Sequence, residues 1–306
     1  MSYLDSPRAG GYARSADSQA RRFRFAHGYD RTIDPLAWLT PPCVMGVLNV
    51  TPDSFSDGGD FIDAPRAVAR LREIAAEGAA ICDVGAESTR PGSAPVDAGE
   101  ELRRLAPVFA ATRAGAAAAL PISIDTSKAS VADAALRAGA VLVNDVTAGR
   151  ADPDLLPLVA DRNAAVCLVH MLGQPRTMQD APRYDDVVDE VRAFLEARLD
   201  AAVRAGVPEG RVLLDPGIGF GKRLEDNLAL LRSLRFLAAI GQPIVVGVSR
   251  KSMFGALLGR AVDERMAGSL AAGLLAVDEG AAVLRVHDVR DTADALRVWQ
   301  AVRSGG

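Results

Sequence analysis

The chain has 306 residues, 49% of them hydrophobic and only 5% aromatic, so its length supports a large core that must rest on Ala, Val, Leu and Ile. A formal net charge of -4, a pI near 5.5 and the lack of any polybasic block argue against a nucleic-acid or anionic-membrane surface, while leaving room for a locally basic pocket. The longest apolar stretches fall short of the roughly 20 residues that cross a membrane, and the polar, Arg-containing start has no signal-like apolar segment, so a cytoplasmic protein is expected.

Residues 1–24 are rich in Ser, Arg, Gly and Ala without periodicity and read as a disordered tail, followed by a domain over 25–306. Phe25, Tyr29, Ile33, Leu36, Trp38 and Leu39 could form a short hairpin or plug under the first strand, and His27 among them reads as a surface residue. Next comes the apolar run Val44 to Val50, which stops abruptly at the turn-favouring stretch Thr51-Pro52-Asp53-Ser54-Phe55-Ser56-Asp57-Gly58-Gly59. Asn49 interrupts that run near its end, where a buried unpaired amide costs about 1–3 kcal/mol, so it should bind something. Cys43, Cys82 and Cys167 are far apart, each in or beside a strand-like run, which fits reduced core thiols.

Further strand-like runs follow at Ala80 to Val84, Pro121 to Ile124, Val141 to Asn144, Ala164 to Val169, Arg211 to Leu214, Pro243 to Val248 and Ala282 to Val286. Between them lie segments with helical spacing, such as Ala67-Leu71-Ile74-Ala75, Leu102-Leu105-Val108-Phe109, Val188-Val191-Phe194-Leu195-Leu199 and Leu228-Leu230-Leu231-Leu234. About eight such units with near-continuous apolar strands over roughly 250 residues match a closed parallel (β/α)8 TIM barrel, with a doubly wound open sheet as the alternative. Polar residues and glycines cluster after the strands, whereas the links leading into them, such as Ala138-Gly139-Ala140, are plain helix terminators. In a barrel, all those strand ends open on one face.

That face carries Asn49, Asp83, the loop from Glu87 to Gly92, Asp125, Asn144, His170 and Met171, Asp215 and Gly217, the run Ser249 to Ser252, Arg285 and His287. Asp125, Asn144 and Asp215 offer carboxylate and amide edges to a heterocycle with several N–H donors, a guanidine-like edge suiting a carboxylate well. Lys251, Arg90, Arg285 and His287 form a cationic set for a phosphate-bearing substrate or leaving group, and Asn49 could complete the coordination of a Mg²⁺ that keeps most of its waters. Single members have plainer readings: Thr126 or Ser127 as a helix cap, Arg285 as a surface residue. Asp215-Pro216-Gly217-Ile218-Gly219-Phe220-Gly221-Lys222 is not a nucleotide loop, because Arg223 stands where Ser or Thr is required and the glycine spacing is wrong. Its glycines instead suit close approach of backbone to a flat ligand, with Phe220 as a stacking ring. No Ser/His/Asp or Cys/His order suggests a covalent hydrolase, and His170 and His287 lack zinc-site spacing.

Taken together, the stretches Met45 to Gly59, Asp83 to Gly92, Ser123 to Lys128, Asn144 to Val146, His170 to Gln179, Leu214 to Lys222, Gly247 to Ser252 and Leu284 to Val289 closely resemble the dihydropteroate synthase family of folate biosynthesis. The resemblance implies a (β/α)8 barrel that condenses 6-hydroxymethyl-7,8-dihydropterin diphosphate with 4-aminobenzoate, releasing diphosphate with Mg²⁺ present. It implies a homodimer through late helices and a target of sulfonamides. By position it assigns Asp125, Asn144, Met171, Asp215, Gly217, Phe220 and Lys251 to the pterin; Phe55, Thr89, Arg90, Pro91 and Ser252 to aminobenzoate; and Asn49, Arg90, Arg285 and His287 to diphosphate, Asn49 also to the metal. Asn49, Asp53, Arg90, Lys251, Arg285 and His287 are its implied catalytic set. Ala86 and Thr147-Ala148 depart from the family's common Gly and Ser-Gly, and the N-terminal extension has no matching counterpart.

Overall fold

The computed structural model describes residues 34–51, 64–88, 93, 95–113, 120–174 and 176–304. The tail 1–24 and Phe25, His27, Tyr29 and Ile33 lie outside them. The compact unit that holds the barrel starts at Pro35. Eight parallel strands close on themselves in chain order: β1 (Cys43–Asn49), β2 (Ile81–Gly85), β3 (Ile122–Asp125), β4 (Leu142–Asp145), β5 (Ala165–Val169), β6 (Val212–Asp215), β7 (Ile244–Val246) and β8 (Ala281–Val286), with β8 paired back to β1. Each strand is covered on both sides, by helices outside and by its neighbours' side chains inside, which is why these runs are apolar without clean alternation.

The helices form the outer ring: α1 (Ala64–Ala76), α2 (Ala98–Arg113), α3 (Ala129–Ala138), α4 (Leu155–Asp161), α5 (Val187–Arg204), α6 (Leu224–Arg232), α7 (Leu234–Ala238), α8 (Ser252–Leu258), α9 (Met266–Asp278) and α10 (Val289–Ser304). α1 buries Ala67, Leu71 and Ile74, one face of a 3.6-residue period. α5 starts at the Asp186 carboxylate, which accepts from the Val188 and Asp189 amides, and buries Val187, Val191, Leu195 and Leu199. The apolar run from Leu228 to Leu234 does not form one helix: the chain breaks at Ser233 between α6 and α7. α3 is not capped by Thr126 or Ser127 at the N-cap position, which is Lys128. Thr126 Oγ1 instead accepts from the Lys128 amide at 3.2 Å, and Asp152 from a later loop accepts from Ala129 at 2.8 Å. α3 ends at Gly139, whose φ of +108° is the left-handed conformation that closes a helix. Among the described residues no helix is long and apolar enough to cross a membrane.

The barrel interior is built in layers. Leu36 and Leu39 close its lower end against the interior group formed by Met45, Ile81, Leu142, Ala165, Leu213, Val245 and Val283, so a plug under the strands is present from Pro35 onward. Side chains alternate along a strand, so the interior positions above Ile81, Leu142, Leu213 and Val283 belong to Asp83, Asn144, Asp215 and Arg285. Strands β2, β4, β6 and β8 thus contribute a polar layer on top of an apolar one. β7 is shorter than its apolar run, ending at Val246 before the chain turns through Arg250 at φ +57°. Cys43, Cys82 and Cys167 are free thiols, the last two buried.

Candidate active site

The polar layer is joined across the barrel by one carboxylate. Asp83 is fully buried; its Oδ1 accepts from Ser123 Oγ at 2.6 Å, and its Oδ2 accepts from Asn144 Nδ2 at 2.9 Å and Arg285 Nε at 2.6 Å. Arg285 Nη2 also donates to Asp125 Oδ2 at 2.8 Å. A guanidinium between two carboxylates is firmly charged. Burial pushes the Asp125 carboxyl up to about 7, with Arg285 opposing. Asp83 was legible in the sequence as a residue of this face but received no role there. Its signal was positional: it stands two residues after an interior apolar residue, as Asn144, Asp215 and Arg285 do on their strands.

Opposite this network stands Asp215, buried at the end of β6, whose Oδ1 accepts from the Gly217 amide at 2.6 Å. Burial raises its pKa, opposed by that bond and by the charges of Lys251, Arg285 and Lys222. Lys251 Nζ lies 4.1 Å from the centre of the Phe220 ring. Burial lowers the Lys251 pKa to about 8, Arg285 adding to the effect and Asp215 and Asp125 opposing it. Met171 is buried just after β5, and Phe220 packs on the same interior group. At Gly217 the conformation of the β6 loop serves packing. A side-chain carbon at Gly217, which has φ +67°, would fall 1.8 Å from the His170 carbonyl oxygen, so this glycine lets the loop press onto the end of β5. Gly219 turns toward the pocket, where a side-chain carbon would fall 3.1 Å from Lys251 Cδ.

His287 follows β8 and does not add a cation at neutral pH: burial, helped by Arg285 and Arg250, lowers its pKa to about 4. Its Nδ1 lies 3.1 Å from Ser249 Oγ, and that hydroxyl also accepts from the His287 amide. Ser249, like Asp83, was legible as a residue of this face without a role of its own. The turn after it is braced by the Arg250 amide on Ser269 Oγ and by the Arg250–Asp288 ion pair. Asn49 closes β1 half-buried, its amide making no hydrogen bond to a described residue. Ser252 opens α8 and is exposed.

Asp53, Phe55, Thr89, Arg90 and Pro91 lie outside the described residues. The stem of the second loop is described: Glu87 accepts from the Val96 amide at 3.2 Å on one oxygen and from the Lys128 ammonium on the other. Asp145 is bonded within the protein: Ser127 Oγ and the amide and hydroxyl of Thr147 donate to it, so it ties the β3 and β4 loops together. Beside it Ala148 has φ +54°, where glycine would sit without cost. Its methyl is buried and its carbonyl accepts from Arg198 at 2.7 Å, which offsets that cost.

Residues 45–287 match the family model described as pterin binding enzyme. The dihydropteroate synthase of Haemophilus influenzae is 45% identical over 263 residues, covering 86% of this chain and 94% of its own length. Among solved structures, the Xanthomonas albilineans dihydropteroate synthase with 4-aminobenzoic acid is 51% identical, with a TM-score of 0.81 over 87% of this chain and 94% of that one. The same organism's enzyme in complex with 7,8-dihydropteroate is 48% identical, with a TM-score of 0.78 over 87% of this chain and 95% of that one. A barrel whose polar upper layer is built from alternate strands, and a likeness of this extent to named enzymes, place the chain in the dihydropteroate synthase family of pterin-binding enzymes.

Proposed function

We propose that this chain is a transferase of folate biosynthesis that condenses 6-hydroxymethyl-7,8-dihydropterin diphosphate with 4-aminobenzoate to give 7,8-dihydropteroate and diphosphate. The observation that carries the reading is the set Asp125, Asn144, Asp215 and Lys251 gathered at one barrel mouth, in a chain 48% identical to an enzyme solved with 7,8-dihydropteroate. Asp215, its geometry set by the Gly217 amide, offers a carboxylate edge to the N–H pair of a pterin ring. Asn144 and Asp125 meet the remaining ring heteroatoms, and Lys251 and Phe220 cover one side of the ring.

Substitution at the pterin methylene is dissociative. Arg285 keeps Nη1 unbonded to any described residue, half-buried beside the pocket, where it stabilises the charge gathering on departing diphosphate. His287, whose pKa burial lowers to about 4, offers a ring nitrogen to the diphosphate there. The electron-rich dihydropterin carries the methylene cation, with Asp53 from the first loop as a stabilising carboxylate. The weakly basic aryl amine attacks that carbon, held by Phe55, Thr89, Arg90, Pro91 and Ser252, and no strong base or covalent nucleophile is needed.

The donors present fit Mg²⁺. The unbonded Asn49 amide supplies one hard neutral oxygen at the strand end next to β8, and this ion takes its other positions from water and phosphate oxygens. Asn49 would hold it, and when bound the ion neutralises diphosphate charge. Purified protein given both substrates should release diphosphate in step with formation of 7,8-dihydropteroate, and EDTA should suppress the rate; diphosphate released with no dihydropteroate formed in the presence of 4-aminobenzoate would refute the proposal.

A homodimer belongs to the same proposal. α8, α9 and α10 line an apolar groove that includes Leu257, Leu258 and Leu275, with Leu275 64% exposed and Val302 on α10 75% exposed. An apolar surface of this kind on adjacent helices favours a second copy. In sedimentation equilibrium the wild type should run as a dimer and Leu275→Arg as a folded monomer; a monomeric wild type contradicts the assignment. Three free thiols support the cytoplasm as its location.

A further inference from the structure

Behind the candidate pterin pocket lies a lysine that the proposed chemistry does not use. Lys222 is 3% exposed, and its Nζ donates to the Gly217 carbonyl at 2.9 Å and the Phe220 carbonyl at 3.1 Å and lies 2.8 Å from His170 Nδ1. An ammonium has three N–H donors and no acceptor, so this tripod is complete only if His170 Nδ1 carries no proton. Burial, then the charges of Lys222 and Arg150, hold the imidazole neutral, its pKa lowered to about 2, and of the two neutral tautomers only Nε2–H leaves Nδ1 free to accept from the ammonium. His170 is fixed in turn by the edge of Phe194, ring centres 4.7 Å apart. Every donor of Lys222 is thus committed inside the protein, which leaves none for a phosphate and sets this lysine apart from a nucleotide-loop lysine.

The two carbonyls it holds belong to the two residues that shape the pocket. Gly217 gives its amide to Asp215 Oδ1, and Phe220 presents its ring to Lys251 Nζ. Between them, the Gly219 amide is tied to Asn227 Oδ1 at 2.6 Å, and after them Tyr184 Oη donates to the Gly221 carbonyl at 2.7 Å. We infer that Lys222 is a positioning residue for pterin recognition: its ammonium clamps the β6 loop onto His170 at the end of β5, and so fixes both the carboxylate edge of Asp215 and the Phe220–Lys251 pair. It also faces Asp215, whose charge opposes the burial that lowers the Lys222 pKa to about 7, so the clamp is fully charged only below that pH. The inference rests on the pterin reading of this pocket.

The test compares wild type with Lys222→Gln and Lys222→Met in steady-state kinetics, varying each substrate, with direct titration by 6-hydroxymethyl-7,8-dihydropterin diphosphate. The expected result is a KM and Kd for the pterin substrate raised about 10- to 100-fold, as for loss of hydrogen bonds to a charged group, with the KM for 4-aminobenzoate unchanged. An unchanged pterin Kd overturns the inference, and so does an equal rise in both KM values, which would mark a general loss of structure. A second measurement needs only the wild type: ring ¹⁵N chemical shifts of His170 should show the neutral Nε2–H tautomer from pH 5 to pH 6, where Lys222, its pKa lowered by burial to about 7, carries its charge. A protonated Nδ1 in that range overturns the tripod whether or not the variants fold. Failure of the wild type to bind the pterin substrate, with the Nε2–H tautomer intact, would instead remove the functional reading while leaving the clamp in place.

Discussion

Replacing Asp83 by Ala should lower the melting temperature by roughly 6–15 °C, because removing one partner of a buried ion pair costs about 3–5 kcal/mol. The cost exceeds that of an ordinary core substitution because three donors lose their acceptor at once: Ser123, Asn144 and Arg285. Asp125 alone would then balance the Arg285 charge, from a carboxyl that burial already holds up at about 7. Adding Arg285→Met to Asp83→Ala should recover part of the lost stability, since the second change removes the stranded charge, and a double-mutant cycle reads that coupling. Thermal unfolding of the four proteins checks it. An unchanged melting temperature for the single variant would show that the polar layer is not held together through Asp83.

The largest expected loss in ligand binding follows from Asp215 and Lys251. Asp215→Asn replaces a charged acceptor with an amide and should weaken pterin binding by about 30- to 150-fold, or ~2–3 kcal/mol, and Lys251→Ala should act in the same direction. Arg90→Ala should leave pterin binding in place and raise the KM for 4-aminobenzoate. The pH dependence has a definite sign. Lys251 is charged below its lowered pKa of about 8 and neutral above it, so pterin affinity should fall as pH rises through 8 in the wild type. In Lys251→Ala the part of that fall centred near pH 8 should be missing, leaving the effect of Lys222, whose pKa burial lowers to about 7. Calorimetric titration with the pterin substrate across pH 6 to pH 9 measures both effects, and equal pterin affinity in all three variants would contradict the division of roles.

The barrel was legible in the chain because eight short apolar runs alternate with segments of helical period, and because polar residues collect after the strands and not before them. Asp125, Asn144, Asp215 and Arg285 could be read as one cluster on that argument. Their partners could not. That Arg285 would be held by Asp83 and Asp125 is a consequence of barrel closure, which brings β8 across from β2 and β3 and leaves no trace in local sequence. His287 was read as a cation from its residue type, whereas its charge is decided by burial and by two neighbouring arginines. The loop from Gly217 to Lys222 was read for ligand approach because its glycines were visible, but the carbonyls they press against, at His170 and Leu172, come from another strand end. The break between α6 and α7 at Ser233 was hidden for a related reason: leucines on both sides continue an apolar pattern that packing interrupts.

The most direct measurement is identification by mass of the product formed from 6-hydroxymethyl-7,8-dihydropterin diphosphate and 4-aminobenzoate with Mg²⁺, alongside quantified diphosphate. The account predicts 7,8-dihydropteroate in one-to-one ratio with diphosphate, and its loss in Asp215→Asn at substrate concentrations that saturate the wild type. Tight pterin binding with 4-aminobenzoate left unconsumed would contradict it, and would make this barrel a pterin-binding protein without the synthase reaction.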